Sequence, residues 1–176
     1  MEYWIIYDLA TGQPFYPGSG QPGTAAYQQV PEGFALVVVP AAVMTAAWPA
    51  LNLDPLRAAM MMEVDNEAEL VRRRFITALP GQVGAYLLKA NAARRWLADH
   101  AASTAMLQPE ASARGMTLEA LCAEVLQREA DWEQAAGPIE SIRLAAKDAI
   151  VAAPTLGAIV AARQTDWSSL DAATGV

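Results

Sequence analysis

The chain changes character at Asp65, and that change limits what it can fold into more than any motif does. Before it, proline and glycine punctuate short β-branched and aromatic runs, and Arg57 is the only basic residue. Eleven of the twelve Lys and Arg residues come after it, and alanine-rich, charge-studded sequence runs from Asn66 to Ala153. Short apolar runs between breakers read as strands, and apolar spacings of three and four read as helix. The expected fold is therefore α+β: a small N-terminal antiparallel β meander followed by an α-helical hairpin or bundle. Its expected divisions are a β-rich head over 1–62, a helical domain over 63–154 and a C-terminal tail over 155–176.

In the head, Trp4-Ile5-Ile6-Tyr7 reads as a strand, Thr11-Gly12 as a turn tip and Pro14-Phe15-Tyr16 as a short return strand. Ala25 to Val30 is a candidate third strand. Phe34 to Val39, continuous and bounded by Gly33 and Pro40, is the clearest strand in the chain. Three or four short strands are marginal alone, so the head must pack on the helices or on another chain. Ala41 to Trp48 fits one or two helical turns, and Leu56 to Met62 fits either a helix start or a strand.

Asn66 with Glu69 three residues on has the capping-box pattern, predicting a helix that ends near Thr77, before Pro80-Gly81. The next helix begins near Gln82 and carries Val83, Tyr86, Ala90, Ala93 and Leu97 on one face. Pro109 to Arg114 is a short helix stopped by Gly115. Thr117 caps a longer one with Leu118, Leu121, Val125 and Trp132 inward. Gly137-Pro138 should kink or restart it, and Ile139, Ile142, Ala146, Ala149 and Ile150 carry it on to Pro154. Beyond Thr155 the pattern fades into a polar stretch with Trp167, expected to be disordered or held by a neighbour.

A net charge of −7 and a pI near 4.6 disfavour phosphate-backbone binding, so no nucleic-acid partner is expected. Glu63, Asp65, Glu67 and Glu69 precede the basic run Arg72-Arg73-Arg74, the order that suits a helix macrodipole. One cysteine, Cys122, excludes an intramolecular disulfide and suits a reducing compartment. Met1-Glu2-Tyr3-Trp4 lacks the basic start of a secretory signal. The apolar tract Ala149 to Ala162 is too short to span a bilayer and is broken by Pro154 and Gly157, so a soluble protein with no membrane insertion is expected.

Little in the chain suggests a reaction centre. Gly18-Ser19-Gly20-Gln21-Pro22-Gly23 has the G-x-G-x-x-G spacing, but Pro22 follows where a helix should open, and the acidic residue expected downstream is missing. The same segment lacks the frame of a serine-hydrolase elbow. His100 and Cys122 could form a nucleophile pair in space, but both sit within helical patterns with no orienting signal: His100 near a helix C-terminus suits the dipole, and Cys122, flanked by Leu121 and Val125, suits a small core residue. One His and one Cys do not make a usual zinc set, and the alternating acids lack a glycine-centred calcium loop. The expectation is no enzyme: no catalytic residue, no cofactor and no metal. Met60-Met61-Met62 reads as core filler or as an adaptable partner surface. Trp96 and Trp132 fit helix packing. The residues best suited to hold a partner are Trp4, Tyr7, Phe15, Tyr16, Trp48, Met61 and Trp167.

Val64-Asp65-Asn66-Glu67-Ala68-Glu69, Arg72 to Thr77, Gly81-Gln82, Tyr86, Lys89, Ala92-Ala93 and Trp96 resemble the helical region of many tailed-bacteriophage tail proteins. Gly115-Met116-Thr117-Leu118, Trp132, Ile139-Glu140, Arg143 and Ala145-Ala146-Lys147 continue the likeness. The head is similar to the small N-terminal portion of such proteins through Trp4 to Tyr7, Thr11-Gly12, Gly18-Ser19-Gly20 and Pro31-Glu32-Gly33. The resemblance implies a structural protein of a tail tip, baseplate or tail-fibre complex, made in the host bacterial cytoplasm and carried in the virion. The head would augment or cap a partner's β-structure. Implied partners are other tail, baseplate or fibre proteins, with a homo-oligomer also open. The alternative is a tail-fibre assembly chaperone that does not stay in the particle. The family brings no catalytic residues, and the chain after Pro154 departs from its pattern.

Overall fold

The computed structural model describes residues 1–75 and 82–173. The fold is α+β, a three-stranded antiparallel sheet followed by helices. Strands β1 (Glu2–Asp8), β2 (Pro14–Gly20) and β3 (Phe34–Val39) form a sheet of order β2-β1-β3. The helices are α1 (Asp54–Phe75), α2 (Gln82–Ala98), α3 (Gln108–Arg114), α4 (Leu118–Ala152) and α5 (Leu156–Arg163). The expected stop near Thr77 and Pro80-Gly81, and the Val83 side chain, lie outside the described residues.

The chain groups into two compact units, and neither is continuous in sequence. Met1–Ala68 joins Ser141–Asp166 in the first, and Glu69–Glu140 joins the segment from Trp167 onward in the second. This grouping cuts across the expected order of head, helical domain and tail. Both boundaries inside the body fall within helices, α1 and α4.

The first unit is built around β1. Tyr7 and Ile5 from β1 and Val37 and Val39 from β3 face a core shared with Val43, with Leu56, Met60 and Val64 of α1, and with Ile150 of α4. Leu156 and Ile159 of α5 complete it. Burying an aliphatic side chain of this size contributes about 1.5–3 kcal/mol, so α5 is a structural member and not a loose end. Thr155 caps it, its Oγ1 accepting from the Ala158 N–H at 3.2 Å. Residues 155–163 were expected to be a fading polar tail. Two buried side chains and a capped N-terminus make them a helix, and the neighbour that holds them is the head of the same chain.

One expectation for the head is overturned and two are settled. The candidate third strand at Ala25 is a 3-10 turn, Thr24–Tyr27, pinned where the Ala25 N–H donates to Glu2 Oε2 at 2.8 Å. Ala41–Thr45 is also 3-10, within the expected helical turns. Leu56 to Met62 is helix, and α1 begins at Asp54, twelve residues before Asn66. Its start is marked by the Asp54 N–H donating to Asn52 Oδ1 at 3.2 Å, followed by Pro55 in the first turn. Asn66 is thus an interior residue and no cap.

The second unit has its own core of Ala92, Ala93, Trp96, Leu107, Ala111, Leu121 and Cys122. On α2, Ala90 and Ala93 are buried as expected and Trp96 packs with them, while Leu97, expected inward, is exposed. Gly115 stops α3 in the left-handed conformation (φ 62°), and Thr117 Oγ1 accepts from the Ala120 N–H at 3.2 Å, both as expected. The Gly137-Pro138 break does not occur. Helix α4 runs through it, with Ala135 and Ile139 fully buried on either side. In the first unit, Ala149 of α4 is exposed, contrary to its expected inward place.

Candidate functional site

Alternation along β1 gives the sheet two faces. Ile5 and Tyr7 point to the core. Glu2, Trp4, Ile6 and Asp8 point the other way, and the register sets their cross-strand neighbours: Trp4 opposite Gly18 and Val38, Ile6 opposite Tyr16 and Leu36, Asp8 opposite Phe34. Tyr7 pairs with Pro14 and Ile6 with Tyr16, so Phe15 is the extra residue of a β-bulge. The bulge brings Phe15 to the outer face, where its ring meets Phe34 at 4.6 Å between centroids, tilted by 43°.

The result is an aromatic and aliphatic outer face. Phe15 is 58% exposed, Tyr16 59%, and Val38 47%, with Phe34 and Leu36 half-buried. Tyr27, on the 3-10 turn, is 87% exposed. Beneath this surface the backbone is tightly fixed. The Trp4 indole lies flat on Gly18, where a Cβ would fall 2.3 Å from its ring. Its Nε1 is buried without a hydrogen-bond partner.

The hairpin tip is fixed as well. Asp8 Oδ1 accepts from the Thr11 N–H at 2.7 Å and from the Thr11 hydroxyl at 3.0 Å. These bonds, the amide first, hold the Asp8 carboxyl below the usual carboxylate range. Gly12, at φ +68°, accepts from the Gly157 N–H at 3.0 Å, so the tip is hydrogen-bonded to α5. A shallow cavity of about 110 Å³ lies beside it, lined by Pro14, Pro49, Leu51, Leu53, Pro154 and Leu156 among others.

Of the seven proposed partner residues, the fold itself uses two. Trp4 and Tyr7 are buried, Trp4 against Gly18 and Tyr7 in the core beside Gly157, and burial pushes the Tyr7 phenol up. As buried side chains they cannot be contact anchors. A strand flanked on both sides, β1, buries both of its faces, which alternation alone does not reveal. Phe15 and Tyr16 share the outer sheet face. Trp48 is exposed at 42% but lies on the loop before α1, while Met61 is half-buried against the first core. Trp167 is half-buried and belongs to the second unit. The face also contains Phe34, Leu36 and Val38, which sequence reasoning did not single out. The signal was present in β3, whose outward residues are as apolar as its inward ones.

Several of the ionisable groups pair one helix with another. Asp65 takes Arg143 at 2.6 Å and Lys147 at 2.8 Å, and the Lys147 hydrogen bond leads in lowering its pKa. Arg163 lies 2.7 Å from Glu63 and 2.6 Å from Glu67. These acids therefore hold α4 and α5, while the helix dipole begins a full three turns earlier at Asp54. Arg72, Arg73 and Arg74 do lie in the last turn of α1, as the dipole reading expects. In the second unit Lys89 bonds Glu110 and lowers its pKa, and Arg114 does the same for Glu124.

His100 is exposed, its Nδ1 2.9 Å from the Trp96 carbonyl oxygen and its ring stacked on Trp96. Cys122 is sealed in the core, where burial first and the Glu119 charge second push its thiol up, away from the reactive thiolate. Among the described residues, no group of three or more His, Cys, Asp and Glu side chains is placed to hold a metal ion. No helix among them is long and apolar enough to cross a membrane. No family model matches the chain, and it matches no curated protein and no solved structure.

Proposed function

We propose that this protein is a structural docking part of a bacteriophage tail, at the tip, baseplate or fibre complex, and acts by binding other tail proteins. The observation that carries this reading is the outer face of the sheet, where Phe15 and Tyr16 stand exposed beside Phe34 on a rigid support. Large aromatic side chains on a fixed backbone give contact area at small entropic cost, which is what a docking anchor needs. The resemblance of the helical segments to tail proteins supplies the kind of partner.

Mass spectrometry of purified phage particles tests this. The protein is expected at fixed stoichiometry with the other tail subunits, and its absence from the particle would sink the reading in favour of an assembly chaperone. The double substitution Phe15→Ala and Tyr16→Ala is expected to leave the fold intact and to reduce incorporation at least tenfold, since two anchors of about 1–2 kcal/mol each are removed.

A further inference from the structure

We infer that two copies of this chain pair through their β3 strands into a six-stranded antiparallel sheet. The two edges of the three-stranded sheet differ. β2 carries Pro14 and Pro17, which lack the N–H that a neighbouring strand needs. β3 reads Phe-Ala-Leu-Val-Val-Val, with no proline and no charge, and only at its start does a turn take up a strand N–H, that of Phe34 donating to the Pro31 carbonyl at 3.2 Å. Among the described residues β3 pairs with β1 alone, and its other side has no strand partner.

The occupant that fits is a second β3. A two-fold axis perpendicular to the sheet keeps outer face on outer face, which requires pairs of equal parity. Centred on Leu36, this sets Leu36 against Leu36, Phe34 against Val38 and Ala35 against Val37. The half-exposed Val38 is then covered by Phe34 of the other copy, and the two outer faces become one. The charges agree with this orientation. Antiparallel pairing holds the two Glu32 carboxylates roughly 27 Å apart at about 3.4 Å per residue, well beyond the screening length. Parallel pairing would set them side by side. The proline edge also settles the size: once β3 is used, only the two β2 edges remain, so the assembly closes at two copies and does not extend to a fibre.

Sedimentation of the full chain at rising concentration tests the pairing. The wild-type protein is expected to approach twice its chain mass of 18.8 kDa and to dissociate on dilution. Leu36→Lys and Leu36→Glu are each expected to sediment as single chains, and their equimolar mixture to recover the double mass. Should either variant fail to fold by circular dichroism, Val38→Lys, at an exposed position, is expected to give the same loss. A Leu36→Cys variant in a Cys122→Ala background is expected to yield a cross-linked dimer with a short bismaleimide. A wild-type protein that stays single at every concentration overturns the inference. So does a dimer that none of the substitutions weakens, or growth beyond two copies. The result is independent of whether the protein is found in phage particles.

Discussion

At Gly157 a single methyl group has nowhere to go. A Cβ there would fall 2.6 Å from Gly12 Cα and 3.1 Å from the Tyr7 ring, so backbone would have to move. Gly157→Ala is therefore expected to destabilise the protein by about 1–3 kcal/mol, read from urea unfolding. Gly84 is the opposite case: it is exposed within α2, and a Cβ there meets nothing within 4 Å. Gly84→Ala should raise stability by about 0.5–1 kcal/mol, because alanine loses less backbone entropy in a helix. The opposite signs of two identical substitutions separate a close-approach glycine from one that merely interrupts a helix. Sequence could flag both glycines but not rank them, since the contact partner of Gly157 lies 145 positions away at Gly12.

Among elements, α5 is the most informative. Ile159→Ala is expected to cost about 2–5 kcal/mol, because Ile159 is fully buried in the head core. A change below about 0.5 kcal/mol would show that the helix does not carry the core. The strands β1 and β3 were legible as such, because β-branched runs between turn residues have few alternatives. The short helix ended by Gly115 and the cap at Thr117 were legible for the same local reason. The start of α1 was not, because Asn66 and Glu69 form a convincing local cap pattern while the actual signal, Asn52 with Pro55, is shorter. Acids in the middle of α1 are explained only by what they meet: Asp65 faces Arg143 and Lys147, some eighty residues on. That pairing has a pH signature. Asp65 has a lowered pKa in the folded state, so its contribution is present above its unfolded value, about 3.9, and fades as pH falls through the lower folded value. Stability measured by urea unfolding should drop as pH falls below about 4, and Asp65→Asn should make that drop shallower.

At the scale of the whole molecule, the change from short β-branched runs to helical spacing indicated the α+β class but not the grouping of its parts. Read linearly, the chain is a head, a body and a tail. In space the last helix returns to the first strand, and the outer sheet face is left as the broad aromatic surface of that unit. The candidate contact residues divide on the same ground. Phe15 and Tyr16 remain available, while Trp4 and Tyr7, on opposite faces, both became buried once β1 took the centre of the sheet. Removing residues 155–176 should abolish cooperative melting of the first unit, since Leu156 and Ile159 leave with them. A melting curve unchanged by that truncation would contradict the fold described above.

The hydrogen bond from Gly157 to Gly12 also fixes an order of events during synthesis. The hairpin leaves the ribosome long before α5 exists, and at about 5–20 residues per second it waits on the order of ten seconds for the segment that completes its core. Glu69–Glu140, by contrast, is made without interruption and can begin to fold first. Through that interval the uncharged β3 edge is exposed on many nascent chains of one polysome, so the strand proposed to pair two finished copies is also where unfinished ones would tangle.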